Sequence, residues 1–199
     1  MNNALLKRID EMDLFSDISL KGHLLIACQH ILETNIPLFE TLIKKGLKPQ
    51  NIFLLGKAYS TNKEVLNELG KKGICVDEGS ISFDSHKSFD DQFNLIVKEF
   101  LSNIKNKVDF SNYKKVILLD DGGNIIYWAN KIFEDLSNFF AIEQTSSGYN
   151  LLQNEKLKFS VVNVARSNTK LKQESPHIAE VVVDKLKFQL DKLKLNPRK

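Results

Sequence analysis

Asp120 and Asp121 close the apolar run Val116-Ile117-Leu118-Leu119, and Gly122 and Gly123 follow at once. Four consecutive apolar residues read as a strand buried on both faces. The two acids then fall at the carboxyl end of that strand, where open parallel sheets place their ligands. The glycines let the backbone turn sharply and let a ligand approach closely. Adjacent carboxylates resist ionising together, which raises the pKa of one toward the range useful for proton transfer. The bland use of the same residues is a strand end with Asx-type turn chemistry. His30 stands in a comparable place after Leu24-Leu25-Ile26-Ala27-Cys28. There it is either a structural hydrogen-bonder or a proton exchanger near neutral pH. Thr145-Ser146-Ser147-Gly148 is a hydroxyl-rich turn. It either caps a helix beginning near Tyr149 or donates to ligand hydroxyls or an anion.

The elements that must position these residues alternate along the chain. Spacing of apolar residues predicts a short leading helix over residues 4–12 and strands over 23–28, 51–55, 74–76, 115–119, 141–142 and 159–164. Helices are predicted over 35–45, with Pro37 in the first turn and Gly46 as the stop, and from the capping box Thr61-Asn62-Lys63-Glu64 toward residue 72. Ser88 caps an amphipathic helix through Phe93, Val97, Phe100 and Ile104, and further helices cover 124–139 and 178–195. Residues 77–87 are polar and irregular. About six strand–helix alternations imply a three-layer α/β fold, a doubly wound, mostly parallel sheet of Rossmann-like type, with residues 1–199 as a single domain.

Composition narrows the function classes. The 199 residues are 42% hydrophobic and carry a net charge of +3, and their 28 basic residues are scattered rather than striped, which argues against a nucleic-acid partner. Cys28 and Cys75 lack metal-ligand spacing and read as small core residues in a reducing compartment. No apolar signal core and no membrane-length run is present, so the expectation is a cytoplasmic chain with no membrane partner. No Gly-x-Gly spacing occurs, which removes the dinucleotide fingerprint and leaves no cofactor site within these residues. The Gly-Lys-Ser/Thr ending of a P-loop and the Gly-x-Ser-x-Gly elbow are also missing. The acids are adjacent and past the midpoint, unlike the early Asp-x-Asp of haloacid-type phosphatases, and no acidic pair follows the first strand as in receiver domains. Trp128 lies beside Ile125, Ile126, Ala129 and Ile132 and reads as core. His23, His86 and His177 fall in boundaries or loops.

Four segments in order resemble the substrate domain of the S-adenosylhomocysteine hydrolase family. Ala27-Cys28-Gln29-His30 with Phe39-Glu40-Thr41-Leu42 is similar to that family's Cys-Leu-His stretch and Glu-Thr-Leu. Leu119-Asp120-Asp121-Gly122-Gly123 is the second segment, and Ile142-Glu143-Gln144-Thr145-Ser146-Ser147-Gly148 is similar to the Glu-Glu-Thr-Thr-Thr-Gly loop. Val162-Asn163-Val164 with Thr169-Lys170-Leu171-Lys172 is similar to the Ile-Asn-Val and Thr-Lys-Ser-Lys run. The resemblance implies a nucleoside-like ligand, with His30, Asp121 and Lys170 as the proton-handling residues and Leu32, Thr34, Gln144, Thr145, Glu174 and Ser175 lining the ligand. It also implies reversible hydrolysis of S-adenosylhomocysteine to adenosine and homocysteine, begun by NAD bound to a second domain that would follow the helix over 178–195. NAD is expected only with that domain, and the isolated chain is expected to be inactive.

Departures from the pattern are specific. Gln144 replaces the second glutamate and cannot exchange a proton, and Glu143 is expected to point elsewhere. Glu174 stands for an aspartate, Ser175 for an asparagine, Leu32 for a threonine and Thr34 for a glutamate. A degenerate, non-catalytic module of the same fold is the alternative, binding another small molecule or a protein. Apolar residues on the last helix, from Val181 to Leu195, also suggest a homo-oligomer or a covering domain.

Overall fold

The computed structural model describes residues 17–195. The expected helix over 4–12 lies outside them. Six strands form one sheet: β1 (Leu24–Gln29), β2 (Ile52–Gly56), β3 (Cys75–Val76), β4 (Val116–Asp120), β5 (Phe139–Glu143) and β6 (Ser160–Asn163). Every pairing is parallel and the order is β3-β2-β1-β4-β5-β6. The doubly wound α/β expectation therefore holds. The chain runs outward from β1 through β2 to β3, then returns to place β4 on the other side of β1. The crevice between β1 and β4, where the direction of winding reverses, is the topological switch point of such sheets.

Period-two alternation divides the core between two faces. Leu24, Ile26 and Cys28 of β1 and Val116 and Leu118 of β4 pack with Val97, Phe100 and Leu101 of α3 (Phe89–Lys107) and Ile125, Ile126 and Ala129 of α4 (Asn124–Ile132). Leu25, Ala27 and Leu119 face the other way, against Phe39 of α1 (Asn35–Lys44) and Val65 and Leu69 of α2 (Lys63–Lys71). All six β1 residues are buried. Both faces of a central parallel strand are covered, so its sequence is apolar from Leu24 to Cys28, and only Gln29 at its end is polar.

Several boundaries differ from the sequence reading. The helix expected over 124–139 ends at Ile132. An Asx turn in which Asp135 accepts from Ser137 N–H breaks it, and Phe139 joins β5 and packs edge-on against Phe110, 5.1 Å between ring centres. Phe133 and Leu136 kept helical spacing across this turn because both are buried in the same cluster. Asn62, not Thr61, caps α2, accepting from the N–H groups of Glu64 and Val65, while the Thr61 hydroxyl donates to the Lys57 carbonyl. Cys28 is buried as expected, but Cys75 is exposed on the edge strand β3. Thr145 caps α5 (Ser146–Leu152), accepting from Gly148 N–H at 3.0 Å.

The closing helix α6 (Ser175–Lys192) is preceded by a π turn, Lys170–Glu174, and buries none of its residues. Ile178, Val181, Val182, Leu186 and Phe188 are all exposed. Among the described residues no helix is long and apolar enough to cross a membrane.

Candidate functional site

The first residues after four strands meet at the carboxyl edge of the sheet: His30 after β1, Lys57 after β2, Asp121 after β4 and Gln144 after β5. Lys57 Nζ donates to Asp121 Oδ1 at 2.9 Å, and His30 Nε2 lies 3.6 Å from the same oxygen. His30 Nδ1 is 2.5 Å from Ser60 Oγ. Gln29 Nε2 donates to Gln144 Oε1 at 2.5 Å. The His30 and Asp121 side chains keep 34% and 22% of their surface, against 11% for Lys57, so the cluster opens to solvent on its imidazole side.

Two glycines make this edge possible. Gly122 and Gly123 have φ of 112° and 79°, in the left-handed region that side chains disfavour. With Asp121 they carry the chain from β4 into α4 within three residues. Gly123 offers no side-chain cap, and Asp120 supplies one instead, its Oδ2 accepting from Ile126 N–H at 2.9 Å. A side chain at Gly148 would collide with the Glu143 carboxylate, so α5 can approach that carboxylate only with glycine there.

Glu143 does not point away from the site. It is buried, and its Oε1 accepts from Gly122 N–H at 3.3 Å and from both the amide and the hydroxyl of Thr145 at 2.7 Å. It therefore ties the loop after β4 to the loop after β5. Asp120 and Glu143 are register partners across β4 and β5 and so project to one face. Asp120 Oδ1 and Glu143 Oε2 are both buried without a partner.

Electrostatics separates these groups. Burial and the Glu143 charge push the Asp120 carboxyl up to about 8, against the pull of the α4 amides. Burial also raises Glu143, which the Thr145 and Gly122 donors counter. Burial lowers His30, and Lys57 lowers it further while Asp121 raises it, so the ring is neutral near pH 7. Burial works against the Lys57 ammonium, but the hydrogen bond to Asp121 and the surrounding negative charge outweigh it and raise its pKa. Cys28, fully buried beside these acids, is held as a thiol. The edge thus offers a neutral imidazole, a carboxylate–ammonium pair and a protonated buried acid.

The residues expected from sequence divide into three groups. His30, Asp121, Gln144 and Thr145 come together at this edge. Lys170, Glu174 and Ser175 form a local set at the start of α6: Lys170 Nζ pairs with Glu174 Oε1 at 3.2 Å, and the Ser175 hydroxyl donates to the Lys170 carbonyl at 2.9 Å. Lys170 is not bonded to His30 or Asp121, and the ammonium bonded to Asp121 is that of Lys57. Leu32 and Thr34 are exposed in the turn before α1, with Leu32 N–H bonded to Asn35 Oδ1. Lys57 had a legible signal, since it follows an apolar strand run and Gly56 as directly as His30 and Asp121 follow theirs.

Cofactor and metal sites need their own donors. The turn after β1, residues 30–34, has no glycine, and Thr34 makes no side-chain cap. It lacks the cradle that holds a dinucleotide diphosphate at this place in a sheet of this order. Among the described residues no three His, Cys, Asp or Glu side chains converge on a metal position.

No family model matches the chain. It is similar to "Uncharacterized protein MT0113" of Mycobacterium tuberculosis strain CDC 1551 / Oshkosh and to "Uncharacterized protein Rv0104" of strain H37Rv. Each is 38% identical over 163 residues, which cover 82% of this chain and 32% of the relative. The chain spans about a third of the length of the curated relatives it matches.

Proposed function

We propose that this chain is the substrate-binding unit of an adenosylhomocysteinase-like protein and binds a nucleoside-like small molecule at the β1–β4 switch point. The observation that carries the reading is the convergence of His30, Asp121 and Lys57 on one partly open edge, in the crevice where doubly wound sheets hold ligands. Tyr59, exposed and edge-on to His30 at 5.6 Å, offers a planar ligand a stacking surface beside the polar groups. The ligand's hydroxyls would meet His30 and the Lys57–Asp121 pair. Thr145 is bound to Glu143 and to Gly148, so it shapes the floor of the site rather than donating to the ligand. The resemblance assigns oxidation of a ribose hydroxyl to NAD, and the residues of this chain do not fit that group, so binding and proton handling are the functions assigned here. The matched stretch covers 32% of each relative, which leaves room in them for a further domain.

A specific observation favours a second reading, a non-catalytic binding module. Asp121 is bonded to Lys57, and Gln144 to Gln29, so one position that the resemblance makes proton-handling and one that it sets against the ligand are satisfied internally. Calorimetric titration of the folded chain with adenosine and with S-adenosylhomocysteine tests both. Saturable heat with either supports the nucleoside reading. No heat with either at millimolar concentration overturns it and leaves a module for another ligand.

A further inference from the structure

Ser60 Oγ lies 2.5 Å from His30 Nδ1, and His30 Nε2 lies 3.6 Å from Asp121 Oδ1. A neutral imidazole carries one proton, and its neighbours decide which nitrogen holds it. Three observations give that proton to Nε2. The Ser60–His30 separation is short for an N–H donor and suits an O–H donor. The other acceptor near the Ser60 hydroxyl is the Lys57 carbonyl at 3.2 Å, which already takes Ser60 N–H at 2.9 Å and the Thr61 hydroxyl at 3.0 Å. An Nε2 lone pair would face the Asp121 carboxylate, whereas an N–H is attracted to it. At 3.6 Å that N–H is not spent on Asp121, whose Oδ1 takes the Lys57 ammonium.

We propose that Ser60 donates its hydroxyl proton to His30 Nδ1 and so holds the imidazole as the Nε2–H tautomer, presenting an N–H donor to an acceptor atom of the bound ligand. The ligand clause rests on the function proposed above; the tautomer is a property of the free protein. The groups facing the ring are Asp121 from the end of β4 and Lys57, Tyr59 and Ser60 from the segment after β2. Ser60 is a positioning residue: it acts on the ligand only through His30.

Two-bond proton–nitrogen spectra of the full chain labelled with nitrogen-15 histidine read the tautomer directly, with His30 assigned by the loss of its signals in His30→Gln. The expected pattern at neutral pH is an unprotonated Nδ1 and a protonated Nε2. Ser60→Ala removes the donor that holds Nδ1 bare, so the neutral ring gains Nδ1–H tautomer; Ser60→Thr, which keeps the hydroxyl, restores the Nε2–H pattern. A protonated Nδ1 in the unsubstituted chain, or a tautomer pattern unchanged in Ser60→Ala, overturns the proposal. Adding adenosine separates the two ideas: no change at Nε2 counts against the nucleoside reading and leaves the tautomer assignment intact.

Discussion

Asp120→Asn should remove the loss of stability that this carboxyl imposes as pH rises toward 8. Asp120 is fully buried, and its carboxyl titrates at about 8 rather than 3.8, mainly through burial and then through the Glu143 charge. Between those values the native state keeps a proton that the unfolded chain has released. The unfolded state binds fewer protons, so stability falls as pH rises through the window from about 4 to 8 and stays low above it. The slope is about 1.4 kcal/mol per pH unit, so from pH 5 to pH 8 the loss is on the order of 4 kcal/mol. Asparagine cannot ionise. Its carbonyl can still accept from Ile126 N–H, and its amide can face the unpartnered Glu143 Oε2. Urea unfolding of both proteins at several pH values isolates this group, because the other ionisations cancel in the difference. With a urea dependence of about 2 kcal/mol per molar, the gap between midpoints should move by roughly 2 M in favour of the variant from pH 5 to pH 8. Parallel midpoints over that range would refute the protonated-acid reasoning, whatever the variant's absolute stability.

Two further substitutions probe the ties between strand ends. Lys57→Met leaves the largely buried Asp121 carboxylate without its counter-ion, so denaturant unfolding at neutral pH should show a loss of about 1–3 kcal/mol. In the same variant the His30 pKa should rise, because the Lys57 charge lowers it; a fall measured by nitrogen-15 titration would contradict the arrangement. Gly148→Ala should cost about 1–3 kcal/mol by driving the new methyl into the Glu143 carboxylate, read as a drop in thermal midpoint. An unchanged midpoint would mean that α5 and β5 are not held in contact as described.

The sheet was legible because its central strands are covered on both faces. Leu24 to Cys28 and Val116 to Leu119 have no polar interruption, and only a parallel strand between two helical layers requires that. Strand order was not legible, since it is set by crossovers between distant segments. The end of α4 was not legible either, because Phe133, Leu136 and Phe139 continue a helical spacing while serving a cluster that includes Phe110. A turn that buries Phe133 and Leu136 at helical spacing hides its break in periodicity, and exposed Asp135 with Ser137 was the local sign. Cys75 was misplaced because an edge strand of two residues exposes one side whatever its neighbours' polarity.

At the site, position relative to a strand end was the more informative sequence signal, and similarity to a motif was the less informative one. His30 and Asp121 satisfied both criteria and are 3.6 Å apart. Lys170 satisfied only the motif, and it lies on a π turn leading into a helix that buries nothing, paired with Glu174 in its own turn. Lys57 satisfied only the positional criterion, and it supplies the ammonium. The physical reason is that a parallel sheet fixes the direction in which its strands emit their next residues. The first residue after each of several adjacent strands is delivered to one edge whatever the loops do later. A residue several positions past a strand, as Lys170 is past Asn163, depends on where its loop and helix come to rest. Glu143 extends the same logic inward: as the last residue of β5 it is fixed in register with Asp120, and only its burial against Gly148 made it a tie between loops rather than a group facing solvent. Any ligand at this edge therefore meets groups held by the sheet itself, and replacing the connection between α4 and β5 should alter the site less than shifting the register of β4 against β1 by a single residue, which would exchange the faces of Asp120 and Asp121.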